Sequence, residues 1–237
     1  TAEETADSLH FAAGKVIDSD EITFVHDGRH ALERRQTLGV PHRAWMFASL
    51  NNERDRPSLA LPHAQATVDV LEAFGWNGSR QMPIFDRPTD PNLLQPGILA
   101  NGTLVQSLSR ASWRSELADL AVQAKSPDAL IEEVFLRFLS RKPRTAERDA
   151  FLPALREGFA ARLVPAAEQS TPKAAEPLPQ VTWLNHVSPE ANSIQIEVEK
   201  RVHQGPSPDP RLRSAWREIY EDLVWSLIND REFVWKP

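Results

Sequence analysis

The chain has 237 residues, with 27 Lys plus Arg against 33 Asp plus Glu (net charge −6) and 41% hydrophobic residues, an ordinary globular composition. Cysteine is absent, which excludes disulfides, thiol catalysis, cysteine–zinc sites and C-x-x-C-H haem attachment within these residues. No apolar run approaches the ~20 residues of a membrane-spanning helix, and no secretory leader is read at the start, from which nothing about compartment follows.

Thr1-Ala2-Glu3-Glu4 reads as a capping box opening a helix that Gly14 stops. A chain beginning so abruptly in regular structure is expected to be processed or excised from a longer one. Residues 15–62 carry a weak pattern, with a short strand expected at Glu21–Val25 before an Asp27-Gly28 turn. Helices are expected at about 63–75, 92–109, 112–124 and 145–161, and Pro96 and Gly97 predict a late start or a kink in the second. Residues 76–92, with Gly78, Pro83, Pro88 and Pro91, read as irregular. Ser126-Pro127-Asp128 is a helix start, followed by Ile131, Val134, Phe135 and Phe138 on one face and by Pro143 as the stop.

The segment 165–180 is rich in Pro and Ala and reads as a flexible loop. Ser188-Pro189-Glu190 repeats the helix start, with Gly205-Pro206 as the stop. Ile194, Ile196 and Val198 alternate like a strand there, but the start favours a helix. From Arg211 to Asn229, Leu212, Trp216, Ile219, Leu223 and Leu227 recur at helical spacing. The expected fold is mainly α: a single irregular helical domain over 1–237 with long loops and at most one short β-hairpin or strand pair. Residues 181–237 are expected to form a helical pair packing back on 1–164.

Two polar stretches can carry chemistry. Asn51-Asn52-Glu53-Arg54-Asp55-Arg56 sets amides, acids and guanidiniums side by side, suited to carboxylate, sulfate, phosphate or sugar hydroxyls, or else to a loop cross-linked by its own ion pairs. The second places Arg80, Gln81, Arg87, Asn92, Gln95 and Asn101 beside Gly and Pro, where Asn and Gln also cap helices and buttress turns. Trp45 and Trp76 flank these stretches and are candidate stacking faces, while Trp216 falls in a buried stripe. His26 and His30 are four apart, but Gly28 argues against a helix and no H-E-x-x-H exists, so no metal site is expected. Arg137, Arg141, Lys142, Arg144 and Arg148 cluster near a helix C-terminus, where cations complement the dipole. With the net charge of −6, nucleic acid is not expected as a partner.

The run HRAWMFASLNNERDRPSLALPHAQATVDVLEAFGWNGSRQ, then DPNLLQPGILANG, WLNHVSPEAN and LVWSLINDREFVWKP, resemble the planctomycete domain of unknown function 1553, also called the PSD domain. The core of that family falls on Arg87, Asn92, Gln95 and Asn101. The resemblance implies the C-terminal module of a large extracytoplasmic (periplasmic or cell-surface) protein. Its relatives carry a cytochrome-c-like region, so any haem belongs elsewhere in the parent and no cofactor is expected in this chain. The family brings no activity to particular residues, and a link to polysaccharide processing follows from its context alone.

The expected function is therefore a non-catalytic structural or interaction module whose partners are the other domains of its parent, without membrane insertion. A binding domain for an anionic or hydroxylated ligand, such as a sulfated polysaccharide, is the alternative. There Arg54, Arg56, Arg80, Gln81 and Arg87 supply donors, with Trp45 or Trp76 stacking. A hydrolase using Asp55 or Glu53 is the third reading.

Overall fold

The computed structural model describes residues 1–17, 19, 22–23, 37–39, 41–47, 59–76, 90–173, 175–179, 181 and 185–234. Helix α1 (Ala2–Ala13) opens with the capping box: Glu4 N–H donates to Thr1 Oγ1 at 3.3 Å, and the Thr1 nitrogen donates to Glu4 Oε2 at 2.8 Å. Gly14 ends it in the left-handed region, φ 62°, which costs glycine no steric strain. Strands β1 (Ile22–Thr23) and β2 (Thr37–Gly39) pair antiparallel, Ile22 opposite Gly39. The Asp27-Gly28 turn lies outside the described residues. A 3-10 turn at Ala44–Met46 leads towards α2 (Pro62–Ala73).

The single helix expected over 92–109 is two, α3 (Leu94–Asn101) and α4 (Thr103–Ser109). Pro96 does not break it, because in the first turn its missing N–H costs no bond. Gly102 does, in an extended conformation with its N–H on the Ile98 carbonyl at 2.7 Å. A Cβ at Gly102 would collide with that oxygen.

Helix α5 (Glu116–Gln123) starts later than expected, at Ser115, whose Oγ accepts from Ala118 N–H at 3.2 Å. The residues before it are drawn into pairing: Ser112 bridges Pro208, and Trp113 N–H donates to Ser207 O at 2.8 Å. Helix α6 (Pro127–Leu139) begins at its Ser126 cap and buries Ile131, Val134, Phe135 and Phe138. It ends at Ser140, left-handed at φ 56°, ahead of Pro143. Helix α7 (Thr145–Arg156) stops short of 161 because left-handed Gly158, φ 72°, separates it from a 3-10 turn at Phe159–Ala161.

Within 165–180 the structure shows a 3-10 turn at Ala166–Glu168. Helix α8 (Pro189–Gln204) is a helix despite its alternation, though the Ser188 side chain, unlike Ser126, makes no cap bond. Only Ala191 of α8 is fully buried, so the solvent face carries the strand-like Ile196. Helices α9 (Ser214–Ile228) and α10 (Arg231–Val234) complete the mainly helical, single domain. Among the described residues no helix is long and apolar enough to cross a membrane.

Two hydrophobic clusters hold these elements. The larger draws on every helix from α1 to α7 and on α9, including Leu9, Val70, Leu117, Phe135 and Tyr220. The smaller comprises Ala2, Ala6, Ile17, Ala44, Phe47, Ala64, Val68, Leu71 and Trp76. Helices α1 and α2 pack on one another and feed both clusters. Helix α9 lies against α4, α6 and α7, and its polar aromatic tips are satisfied by carbonyls, Trp216 Nε1 on Leu155 at 2.9 Å and Tyr220 Oη on Leu117 at 3.0 Å. That pairing lets two large aromatics be buried without a desolvation penalty.

The segment leading into α9 is stitched on both sides. Asp209 N–H donates to Ala111 O at 3.0 Å, Val164 N–H to Arg211 O at 2.9 Å, and Arg213 N–H to Arg162 O at 2.8 Å. Arg162 anchors this seam. Its guanidinium donates to Ala121 O (2.9 Å), Val122 O (3.0 Å), Ala124 O (2.8 Å) and Phe159 O (3.0 Å). It thereby closes the C-terminus of α5, where the helix dipole favours a cation. Arg162→Met keeps the bulk and orphans those carbonyls, so urea unfolding is expected to show a loss of ~3 kcal/mol or more. Arg162→Lys, lacking the planar fork, recovers only part of it.

Candidate functional site

Of the residues singled out by sequence, Arg54, Arg56, Arg80, Gln81 and Arg87, with Glu53, Asp55, His26 and His30, lie outside the described residues. Trp45 belongs to the 3-10 turn at Ala44–Met46. Asn92 is a helix buttress: its Oδ1 accepts from Leu94 N–H (2.8 Å) and Gln95 N–H (3.3 Å), and its Nδ2 donates to Ala73 O (3.2 Å), tying α3 to the end of α2. Gln95 is buried beside it, and the Asn101 amide bonds back to Gly97 O at 3.4 Å. Trp76, 4% exposed, sits in the smaller cluster.

The cluster of basic residues is engaged by acids. Arg141 makes a two-pronged pair with Glu147, both contacts at 2.7 Å, and reaches Glu232 with Nε at 2.7 Å. Arg144 bonds Glu232 at 2.8 Å, Lys142 pairs with Glu132 at 2.6 Å, and Arg137 pairs with Glu116. The Arg141 guanidinium holds the Glu147 carboxyl down to about 2, against a smaller opposing effect of burial. These charges clamp α6, α7 and α10 together.

Open space lies elsewhere. A cleft of about 560 Å³ is walled by the end of α1, the start of α2, α4, the 112–115 turn and the end of α8. On α1, His10 follows Ala6 by one turn and precedes Ala13 by nearly one, which puts it on the buried stripe. It is 7% exposed, and neither ring nitrogen has a hydrogen-bond partner. Burial pulls its pKa down to about 4; the nearby backbone of Lys15 and Val16 and the Asp7 charge oppose the shift.

Lys15 enters the cleft wall from the turn after Gly14 and donates to Ser107 O at 2.6 Å, in the last turn of α4, and to Arg110 O at 2.8 Å, just past it. Burial lowers its pKa to about 7, with Glu221 resisting. Arg114, left-handed at φ 59°, lies 4.5 Å over the Trp113 ring. Its backbone is fixed by Asp209 Oδ2 at 3.2 Å, and Asp209 is in turn locked by Arg211. Arg201 closes the far wall, donating to Glu197 at 3.2 Å and to Glu176 O at 2.6 Å. Thr103 Oγ1 and His203 Nδ1 lie 3.2 Å apart at the rim.

The described wall carries His10, Lys15, His63, Arg114 and Arg201 and no carboxylate, within a chain of net charge −6. Among the described residues His10 makes no bond to a hydroxyl or to a carboxylate orienter, the contacts that a nucleophile–base pair of covalent catalysis uses. Among the described residues no group of three His, Asp or Glu is placed to hold a metal. None of these five residues stands out by sequence motif. The legible trace is His10 itself, a polar residue on an alanine- and leucine-lined helix stripe.

Comparison with known proteins adds a family. The model described as PSD1, protein of unknown function (DUF1553), matches residues 1–155. That span holds α1 to α6 and most of α7, and so every wall of the cleft except the end of α8. The C-terminal runs WLNHVSPEAN and LVWSLINDREFVWKP lie beyond it. No curated protein matches the chain, and no solved structure does.

The orphaned imidazole has a pH consequence. Folded, His10 stays neutral down to about pH 4, whereas the unfolded chain takes up that proton from 6.5 downward. The unfolded state therefore binds more protons in this window, and stability falls as pH drops. Urea midpoints are expected to show a loss of about 2 kcal/mol between pH 6.5 and 5, above the main carboxylate range, and His10→Gln is expected to flatten that slope.

Proposed function

Since the chain belongs to the PSD1 family of proteins of unknown function, we propose that it acts as a non-catalytic structural or interaction module, docking with the other domains of a larger extracytoplasmic bacterial protein. The observation that carries this reading is a set of large apolar side chains left in solvent. Leu93, 90% exposed, stands beside exposed Leu94 at the start of α3, and Phe11, Val16 and Val187 are also exposed. Paired exposed leucines are disfavoured on a lone soluble surface and fit one that docks. The polar groups nearest them, Asn92 and Gln95, brace the backbone that presents them. A planctomycete, cytochrome-c-associated parent and a polysaccharide context come from the resemblance and belong to the same proposal, as does the absence of a cofactor here.

A second reading is a binding domain for an anionic or hydroxylated ligand, such as a sulfated polysaccharide. The cation-lined cleft beside His10 favours it. Both roles can coexist, since Leu93 and Leu94 are not part of the cleft wall.

Titrating this chain against the remaining domains of its parent is expected to give saturable binding. Leu93→Asp with Leu94→Asp should weaken it about tenfold or more, with an unchanged circular dichroism spectrum. Turnover of any substrate by the isolated chain would sink the non-catalytic reading.

A further inference from the structure

The cleft narrows the second reading to a chemistry. We infer that it binds a ring-bodied organic oxyanion, an acidic sugar bearing a carboxylate or a sulfate; the inference rests on the ligand-binding reading above. Its volume of about 560 Å³ is that of a small-molecule site.

His10, which lines the cleft, is 7% exposed, and neither of its ring nitrogens has a hydrogen-bond partner. A buried imidazole left unpaired destabilises the fold, and a ligand oxygen or hydroxyl supplies the missing partner. Both nitrogens are covered as the cleft stands, so a ligand reaches them only once the atoms over the ring give way; the neutral ring then donates to an oxyanion and accepts from a hydroxyl.

The wall decides the sign of the ligand. Lys15 spends two of its three ammonium protons on the Ser107 and Arg110 carbonyls, leaving one for the cleft it lines. Arg114 has no ion pair among the described residues, and no described wall residue carries a carboxylate. Glu221, which is not part of the wall, already acts on Lys15, but within the cleft the cations meet no acid, and an oxyanion adds charge-assisted bonds there that a neutral ligand cannot.

The body of the ligand is set by Trp113. The indole is 37% exposed at the cleft, and Arg114 over its ring leaves an amphipathic platform of the kind on which a sugar ring packs. Thr103 and Ser107 add hydroxyl partners on the α4 side. An inorganic anion would use the charges and leave the platform bare.

The test is calorimetric titration of the whole chain with glucuronate, glucose 6-sulfate, glucose, inorganic sulfate and dextran sulfate. It is paired with imidazole ¹⁵N spectra of the histidines. Both acidic sugars are expected to bind at least tenfold tighter than glucose or inorganic sulfate and to shift the His10 nitrogens. Arg114→Gln and Trp113→Ala should each weaken them about tenfold, with the circular dichroism spectrum of the folded chain unchanged. Glucose or inorganic sulfate binding as tightly as the acidic sugars overturns the inference. So does binding that both variants leave intact, which would move the ligand elsewhere while the ligand-binding reading stands. Binding of dextran sulfate alone also removes the inference and keeps that reading. No binding by any probe ends both.

Discussion

Arg162 carries its charge into the protein at 7% exposure, and carbonyl oxygens receive it there instead of a carboxylate. Three belong to the C-terminal end of α5, at Ala121, Val122 and Ala124, and one to Phe159. The guanidinium also stacks 3.9 Å from the Phe159 ring centroid. One planar cation thus meets a helix dipole, closes four acceptors and lies on an aromatic face, a combination that only arginine geometry allows. The backbone of the same residue accepts from Arg213, so the contact that ends α5 also sets where α9 begins. Trp216, one turn into α9, then packs edge-on against Phe159 at 5.9 Å and parallel to Tyr220.

A second tie orients the other end of the same strip. Asp209 is 1% exposed and accepts from Arg211 and from the Arg114 backbone. Burial alone would raise its pKa, but the Arg211 bonds prevail and hold it low. Arg211 also reaches Asp119 on α5 at 2.7 Å. The segment 207–213 is therefore held at both ends, by Asp209 towards the 111–114 turn and by Arg162 towards 162–164. The turn it pins is the one that presents Trp113 and Arg114 to the cleft. Cleft geometry is inherited from these buried polar contacts.

That dependence explains what sequence made visible and what it did not. The Thr1 capping box, the Gly14 stop, the Ser126 cap and the stripe through Ile131 and Phe138 are local, and each is a finding of the structure. The structure departs from local preference where a distant contact overrides it. Residues 112–115 carry no helix breaker, yet Ser207 and Pro208, far along the chain, pull them into pairing. At Gly102, where the helix breaks, Ile98 O occupies the space a side chain would need, so glycine alone fits, a constraint invisible in a run of amino acids. Arg162 sits in an unremarkable stretch, and its acceptors lie about forty residues away. The polar stretches chosen by composition behave likewise: Asn92, where it is described, is spent on a turn, while the cleft draws on residues separated by some two hundred positions.

The position of the cleft follows from the two clusters. Helix α1 sends Ala2 and Ala6 into the smaller one and Leu9, Ala12 and Ala13 into the larger. His10 belongs to neither cluster and marks the seam between them, where it is covered to all but 7% and yet finds no partner for its nitrogens. Seams between packed layers are where space remains, since close packing is satisfied within each cluster but not across its border. Filling the seam with leucine would extend the larger cluster and remove an unpaired polar group, a gain in stability on both counts. The protein instead keeps an imidazole there, with Lys15 beside it facing the same space. An unpaired imidazole and a carbonyl-bound ammonium thus share one wall, a combination that packing alone does not select.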